Sequence, residues 1–336
     1  MLLLSQLAGV ALLVLVSLDA FRTVLLPSGR GWLNEAWVRL LWSGARILPT
    51  GIGRRARSSV GPLSIVATVA SWVALLWVGY ALIYLPDVDS LGYSSDVRFE
   101  GSDWVAALYL SGTVLTTLGL GDVAAQTDGL RLLVVLESAG GLGIFTAALG
   151  YLPAIYTVVS ELRTSAEAVS DLRATTPERA AALLQDDPGA VIEAVRRDVI
   201  ATRQHLLRFP VLHSFHPPAE QSVLGVVEGA TMLWVVARFG TSGERHPGVQ
   251  RAAEALELGL RRLVDDCERH AGRVDVHDGL AAAKEQVEQV RRAVGEHDSD
   301  RVGRQEPDER ALDDLARTNA VLRGYAAKHG YDFPSP

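Results

Sequence analysis

The 336-residue sequence predicts an all-α membrane protein in two parts. A hairpin of two spanning helices around a short re-entrant loop comes first, and a soluble helical bundle follows. Three observations predict this. Nearly all long apolar runs lie before residue 160. A Thr- and Gly-rich stretch, Thr113-Val-Leu-Thr-Thr-Leu-Gly-Leu-Gly-Asp122, separates two of those runs. Beyond residue 160 the chain is charged and Ala-rich, with apolar residues stepping by three and four, the period of amphipathic helices.

The bulk composition narrows the function. Hydrophobic residues make up 49% of the chain and the net charge is −7, which argues against nucleic acid as a partner. A single cysteine, Cys267, excludes an intrachain disulfide and a CxxC metal site. Lysine occurs only at Lys284 and Lys328, whereas arginine is abundant.

Residues 1–27 are apolar with few interruptions (Ser5, Gln6, Ser17, Asp19, Arg22). They carry no basic leader and no small-residue cleavage site, so a retained N-terminal transmembrane helix is expected. Residues 28–61 form a linker with Arg30, Arg39, Arg46, Arg54, Arg55 and Arg57 against one acid, Glu35. Short basic loops stay in the cytoplasm. Within it, 32–48 reads as an amphipathic helix in the membrane interface, a passive anchor rather than a gate lever moving with the inner helix. Residues 62–85 are the outer helix, with Trp72 and Trp77 inside and Tyr80 and Tyr84 near the outer end. The next loop is acidic (Asp87, Asp89, Asp96, Glu100 and Asp103 against Arg98) and is expected outside. The inner helix, 130–159, returns to the cytoplasm. The expected location is the cell membrane, with the N-terminus outside and the soluble half inside.

Between the outer and inner helices, 103–116 reads as a short pore helix with Asp103 as N-cap. Its C-terminus points into the membrane, where its partial negative charge favours a cation. The chain then turns back outward through Thr117, Leu118, Gly119, Leu120 and Gly121 to Asp122. Non-helical backbone at this depth is tolerated only where it is buried in protein or lines a water-filled path. A run of inward carbonyls can replace the water shell of a cation, and the unusual alternate backbone angles this needs suit Gly119 and Gly121. The expected activity is passive ion conduction, not catalysis.

Thr116-Thr117-Leu118-Gly119-Leu120-Gly121-Asp122 resembles the potassium-channel signature Thr-Thr-Val-Gly-Tyr-Gly-Asp. The resemblance covers about residues 62–160, the pore domain. It implies four filter strands around one axis, hence a homotetramer, with carbonyls and the Thr117 hydroxyl forming potassium sites. Potassium is the permeant ion, and no cofactor and no metal beyond it is implied. Two departures stand out. Leu118 replaces valine. Leu120 replaces the tyrosine that the family ties to a pore-helix aromatic, and that partner position, Leu110, is also aliphatic, so an apolar contact is expected in its place. Tyr109 is expected to bond Asp122, as the family's pore-helix aromatic does.

The inner helix is punctuated by Gly140, Gly141, Gly143 and Gly150. Gly141 matches the family's hinge glycine; close helix packing explains it equally well. Phe145 and Leu149 follow by one and two turns and are placed to line or constrict a cavity. Glu137, an acid within the membrane, needs a protein or water partner. A hydrogen bond to pore-helix backbone or to Thr113 is expected, which joins Glu137 to Tyr109, Leu110, Thr113, Thr116 and Asp122 as filter support. Pro153 is expected to kink or end the straight helix.

Residues 164–336 read as a cytoplasmic helical bundle. Stripes run through Ile192, Val195, Val199 and Leu206; Leu256, Leu260, Leu263 and Cys267; Leu280, Ala283, Val287, Val290 and Val294; and Leu312, Leu315 and Leu322. The apolar run 222–237 is interrupted by Gly225, Glu228 and Gly229 and reads as a buried bundle helix, not a fourth span. His213-x-x-His216 lies in a Pro-flanked corner with no further metal ligands supplied nearby. The expected partners are three further copies of the chain, the lipid bilayer and potassium, with a cytoplasmic ligand open. Two other readings remain, a nonselective cation channel and a non-conducting membrane anchor for a helical signalling module.

Overall fold

A computed structural model describes residues 2–26, 31–47, 50–94, 102–172, 176–185, 187–218, 221–240, 247–271, 279–297, 308–329 and 331. Arg30, Asp96, Arg98 and Glu100, named above, lie outside the described residues, as does Leu48 at the end of the 32–48 segment, and so do the side chains of Arg46, Arg54, Arg55 and Arg57. The chain divides into two units, Met1–Tyr156 and Thr157–Pro336.

Unit 1 is an all-α membrane domain. It comprises α1 (Leu2–Val24), α2 (Trp32–Ile47), α3 (Thr50–Tyr84), a 3-10 turn (Leu85–Ser90), β1 (Leu91–Tyr93), α4 (Asp103–Leu115), β2 (Val123–Ala125) and most of α5 (Asp128–Asp171). α1, α3 and α5 are long and apolar enough to cross a membrane. α1 lies antiparallel on α3 and is fastened at three levels. Gln6 donates to the Asp87 carboxylate at 3.2 Å. Gly9 and Gly79 meet so closely that a Cβ on Gly9 would sit 2.5 Å from the Gly79 carbonyl oxygen. Asp19, fully buried, accepts from the Trp72 indole at 2.8 Å and from the Leu33 amide at 3.3 Å. A buried carboxylate within a membrane helix needs such partners, and here they join α1, α2 and α3 at one point.

α2 is more than an interfacial float. Asn34 donates to the Thr68 hydroxyl at 3.3 Å and the Trp37 indole to the Ser71 hydroxyl at 2.8 Å, so hydrogen bonds as well as amphipathicity hold it to α3. Two helix boundaries also differ from the hydropathy pattern. α3 begins at Thr50, with Pro62 inside it, and α5 runs through Pro153 to Asp171. Hydropathy marks where lipid begins and ends, whereas a helix continues for as long as its backbone bonds and one face find partners. Beyond Thr157 the α5 pattern narrows to a buried stripe at Val158, Val159, Leu162, Ala166 and Val169, as expected of a helix passing from lipid into a protein core.

Unit 2 is a helical bundle. The end of α5 is joined by α6 (Pro177–Leu183), α7 (Pro188–Arg208), a 3-10 corner (Pro210–Ser214), α8 (Val223–Val235) with a π turn (Val236–Gly240), α9 (Pro247–Glu268), α10 (Gly279–His297) and α11 (Glu309–His329). The apolar stripes on α7, α9, α10 and α11 form its core; Leu280, at the start of α10, is the exposed exception. α8 with its π turn is apolar and long enough to span a membrane, yet 78% of it is buried in protein, against 11% for the apolar 18-residue stretch of α5. Its Gly229 abuts Val169 of α5, where a Cβ would come within 2.5 Å of the valine side chain. α8 is thus a core helix of the bundle. Ion pairs surround α9: Arg203 reaches Asp266 at 2.7 Å, Arg317 reaches Asp265 at 2.8 Å and Glu268 at 2.5 Å, and Arg261 joins Glu257 to Asp314. Burial pushes the Cys267 thiol up to about 12, which leaves it an inert core side chain.

Candidate functional site

α4 starts one residue earlier than its charge pattern implies. Ser102 is the N-cap, in extended conformation, and Asp103 lies in the first turn. Its carboxylate still faces the positive end of the helix dipole. The helix ends at Leu115 with Thr116 as C-cap, and the chain then doubles back on α4. The Thr117 amide donates to the Val114 carbonyl at 2.9 Å, and those of Leu118 and Gly119 to the Thr113 carbonyl at 2.8 and 3.1 Å. Thr113 therefore supports the turn through its carbonyl, while its hydroxyl donates to Leu110 O at 2.9 Å. The Thr116 hydroxyl donates to Gly112 O at 2.7 Å.

The backbone after this turn alternates. Thr117, Gly119 and Gly121 have φ of 58°, 53° and 78°. Glycine takes such angles without penalty, but a β-branched residue there is an outlier. Thr117 is held in place by the amide bonds on either side of it. Because the amides at 117–119 are spent on α4, the carbonyls are left over. Among the described residues no backbone amide donates to the carbonyls of Thr117, Leu118, Gly119 or Leu120. This gives four consecutive acceptors on an exposed ridge at the negative end of a helix.

The far end of the ridge is pinned. Tyr109 donates to the Asp122 carboxylate at 2.6 Å, whose other oxygen accepts from the Val123 amide at 3.1 Å. β2 then pairs antiparallel with β1 in the register Leu91↔Ala125, Gly92↔Ala124, Tyr93↔Val123, and the Ser94 amide donates to Asp122 O at 2.9 Å. Leu110 is buried in the core of unit 1, but Leu120 stays 60% exposed. The apolar contact expected between them therefore does not bury Leu120 within one protomer.

Behind the ridge, Glu137 of α5 is fully buried. Its partners are neither Thr113 nor backbone. One carboxylate oxygen accepts from the Ser111 hydroxyl of α4 at 2.5 Å and the other from the Tyr84 hydroxyl of α3 at 2.7 Å. Hydroxyls win because α4's own amides are already committed to its helix. One side chain thus ties the outer, pore-loop and inner helices together. The Trp77 indole adds a second tie, donating to Leu108 O at 2.7 Å, while Ser111 lies 2.9 Å from Trp77 O. Ser111 and Tyr84 were legible only as polar residues in apolar helices. The signal was the unmet demand of Glu137.

Gly141 is a contact residue. A Cβ there would lie 2.3 Å from the Leu115 carbonyl oxygen, and α5 is helical on both sides of it. Gly140 has only the Tyr80 hydroxyl nearby, at 3.6 Å, and Gly143 and Gly150 face open space in the protomer. Phe145 and Leu149 are exposed on α5, together with Leu132, Val135, Leu136 and Leu142.

A family model described as "Ion channel" matches residues 67–157, which contain the outer helix from Ala67, the loop and α5 as far as Thr157. A curated relative, the "Uncharacterized membrane protein YdjJ" of Bacillus subtilis (strain 168), is 31% identical over 256 residues, covering 74% of each chain. The chain belongs to the two-transmembrane ion-channel family, with extra helices on either side of the pore domain. No solved structure matches it. In the channel, replacing Gly141 by alanine must push α5 off the end of α4, because the obstacle is backbone. The expected result is loss of current together with lower thermal stability of the purified protein, by about 1–3 kcal/mol per subunit. Current retained with altered gating alone would restore the hinge reading.

Proposed function

We propose that this ion channel is potassium-selective, and that four copies assemble with their Thr117–Leu120 carbonyls around one axis. The observation that carries the reading is the alternation of positive φ at Thr117, Gly119 and Gly121 with the neighbouring amides folded back on α4. That arrangement supplies stacked oxygens and little else, which suits a dehydrated monovalent cation. Gly121 ends the strand, Asp122 closes its outer mouth, and the Thr117 hydroxyl supplies the innermost ligand.

The protomer's surface supports assembly. Leu118 and Leu120 are 62% and 60% exposed, and Phe145 and Leu149 on α5 are exposed too. One loop per chain cannot close a cage, and four can. On this reading Phe145 and Leu149 line the inner cavity. Glu137, Tyr109, Leu110, Thr113 and Thr116 hold the filter's scaffold. The loop charges support a topology with the filter mouth and the N-terminus outside and unit 2 in the cytoplasm.

The test is the reversal potential of reconstituted full-length protein under opposed potassium and sodium gradients. Potassium selectivity of about a hundredfold places it near the potassium equilibrium potential, about 2.3 kcal/mol of driving force per charge per 100 mV. A reversal potential near zero with current present would make Leu120 the mark of a nonselective cation channel. Absence of flux under all ligands and potentials would favour the membrane-anchor reading.

A further inference from the structure

α1 lies outside the pore domain itself, yet a chain of bonds joins it to the end of the filter strand. The chain starts at Gln6, which donates to the Asp87 carboxylate at 3.2 Å. Asp87 is where the 3-10 turn bends, with φ −110° and ψ 18° outside the helical range, so the bond grips the turn at its corner. One residue on, Val88 is buried. Its carbonyl accepts from the Leu91 amide and, at 3.2 Å, from the Tyr93 hydroxyl. The turn and β1 are thereby tied to each other. β1 pairs with β2, and the Ser94 amide just beyond β1 donates to Asp122 O at 2.9 Å.

Apolar packing follows the same route. Val88 of the turn, Leu91 of β1 and Val123 of β2 share one buried cluster with Val16 and Ala20 of α1 and with Leu110 and Val114 of α4. Close-packed interiors transmit displacement, so the turn cannot shift without disturbing α1 on one side and the pore helix on the other. Asp122 is consequently held from two directions. α4 holds its side chain through Tyr109, and the β1–β2 ribbon holds its backbone. Both polar groups of the Asp122–Val123 peptide are engaged, the carbonyl by Ser94 and the amide by the Asp122 carboxylate at 3.1 Å.

We propose that α1 is a positioning element of the pore, acting through Gln6, Asp87 and the β1–β2 ribbon to fix the Asp122 end of the filter strand. A filter discriminates among cations by the number and placement of its oxygens, so its discrimination depends on how firmly the ends of the strand are held. Tyr109 alone leaves the Asp122–Val123 peptide free to rotate away from the ribbon, and the ribbon is only as firm as the turn it stands on. The effect on selectivity rests on the potassium-channel reading above; the mechanical link from Gln6 to Asp122 does not. Loss of one such hydrogen bond shifts the balance between held and loosened ribbon by about fivefold.

Two readouts on full-length reconstituted protein test this. Gln6→Ala removes the first link without changing charge. Amide hydrogen exchange in 91–94 and 123–125 is expected to quicken about fivefold, with α7 unchanged. The potassium-over-sodium permeability ratio, taken from the reversal potential under opposed gradients, is expected to fall by about the same factor. Asp87→Ala is expected to do both, and combining it with Gln6→Ala to add nothing, because the two share one bond. Asp87→Asn keeps an acceptor oxygen for Gln6 and removes the charge, so wild-type values are expected. Unchanged ribbon exchange in Gln6→Ala would overturn the link. Faster exchange with an unchanged permeability ratio would make α1 a passive anchor and overturn the proposal. So would an Asp87→Asn variant that behaves like Asp87→Ala, since charge rather than position would then be at work. Faster exchange in Gln6→Ala, with wild-type current that reverses near zero, would support the link and overturn the potassium-selective reading instead. If the variants do not fold, wild-type exchange in potassium against sodium decides. Linkage is reciprocal, so potassium in the filter is expected to protect 85–94, and equal protection in the two ions would overturn the proposal.

Discussion

Replacing Gly119 by alanine is expected to abolish current while leaving the membrane domain folded. Gly119 sits at φ 53° with nothing within 4 Å of the position a Cβ would take, so the cost is not a clash. It is the backbone penalty of an L-residue in the left-handed region, about 1–2 kcal/mol. In the fourfold ring proposed above, that penalty falls on every copy, about 4–8 kcal/mol in all. Relaxing it means returning Gly119 to negative φ, which turns a carbonyl out of the ridge. Single-channel recording of the variant is expected to show no potassium conductance, while circular dichroism and size-exclusion elution match wild type. Ordinary potassium current in Gly119→Ala would show that the alternation is not needed for conduction.

The second large effect is at Glu137. Alanine there removes the acceptor of two buried hydroxyls, Tyr84 and Ser111. Each unmet polar group costs about 1–3 kcal/mol, so the loss is about 2–6 kcal/mol per subunit, before the small cavity is counted. Glutamine keeps the shape and one carbonyl acceptor, but replaces the other oxygen with a donor. The expected order of thermal stability of the purified protein is wild type, then Glu137→Gln, then Glu137→Ala, with the alanine variant losing current as α4 loosens. Tyr84→Phe with Ser111→Ala in the Glu137→Ala background is expected to recover part of the loss, because the orphaned groups are then gone. Equal stability of wild type and Glu137→Ala would show that the three helices are held by apolar packing alone.

What the sequence made legible, and what it hid, divides along physical lines. Spans were legible because lipid imposes hydropathy on every exposed residue, and the alternating backbone after α4 was legible because glycine takes two of its three positive-φ sites without penalty. The third, Thr117, was not. A β-branched residue is the last expected there, and the tertiary bonds from Val114 and Thr113 override its preference. The β1–β2 ribbon has three residues per strand, too few for alternation to register. The ends of α3 and α5 were missed because a helix that leaves lipid changes its pattern without breaking its backbone. The His213 ring meets the Tyr325 hydroxyl across more than a hundred positions, and no local period announces such a meeting.

The oxygens themselves are open to direct observation. A structure of the assembled channel, determined with rubidium or thallium in place of potassium, locates the permeant ion by its scattering. The expected result is a fourfold axis with a column of ion density level with the carbonyls of Thr117, Leu118, Gly119 and Leu120. Ion density absent from that column, or the Thr117–Leu120 ridge turned away from any symmetry axis, would contradict it.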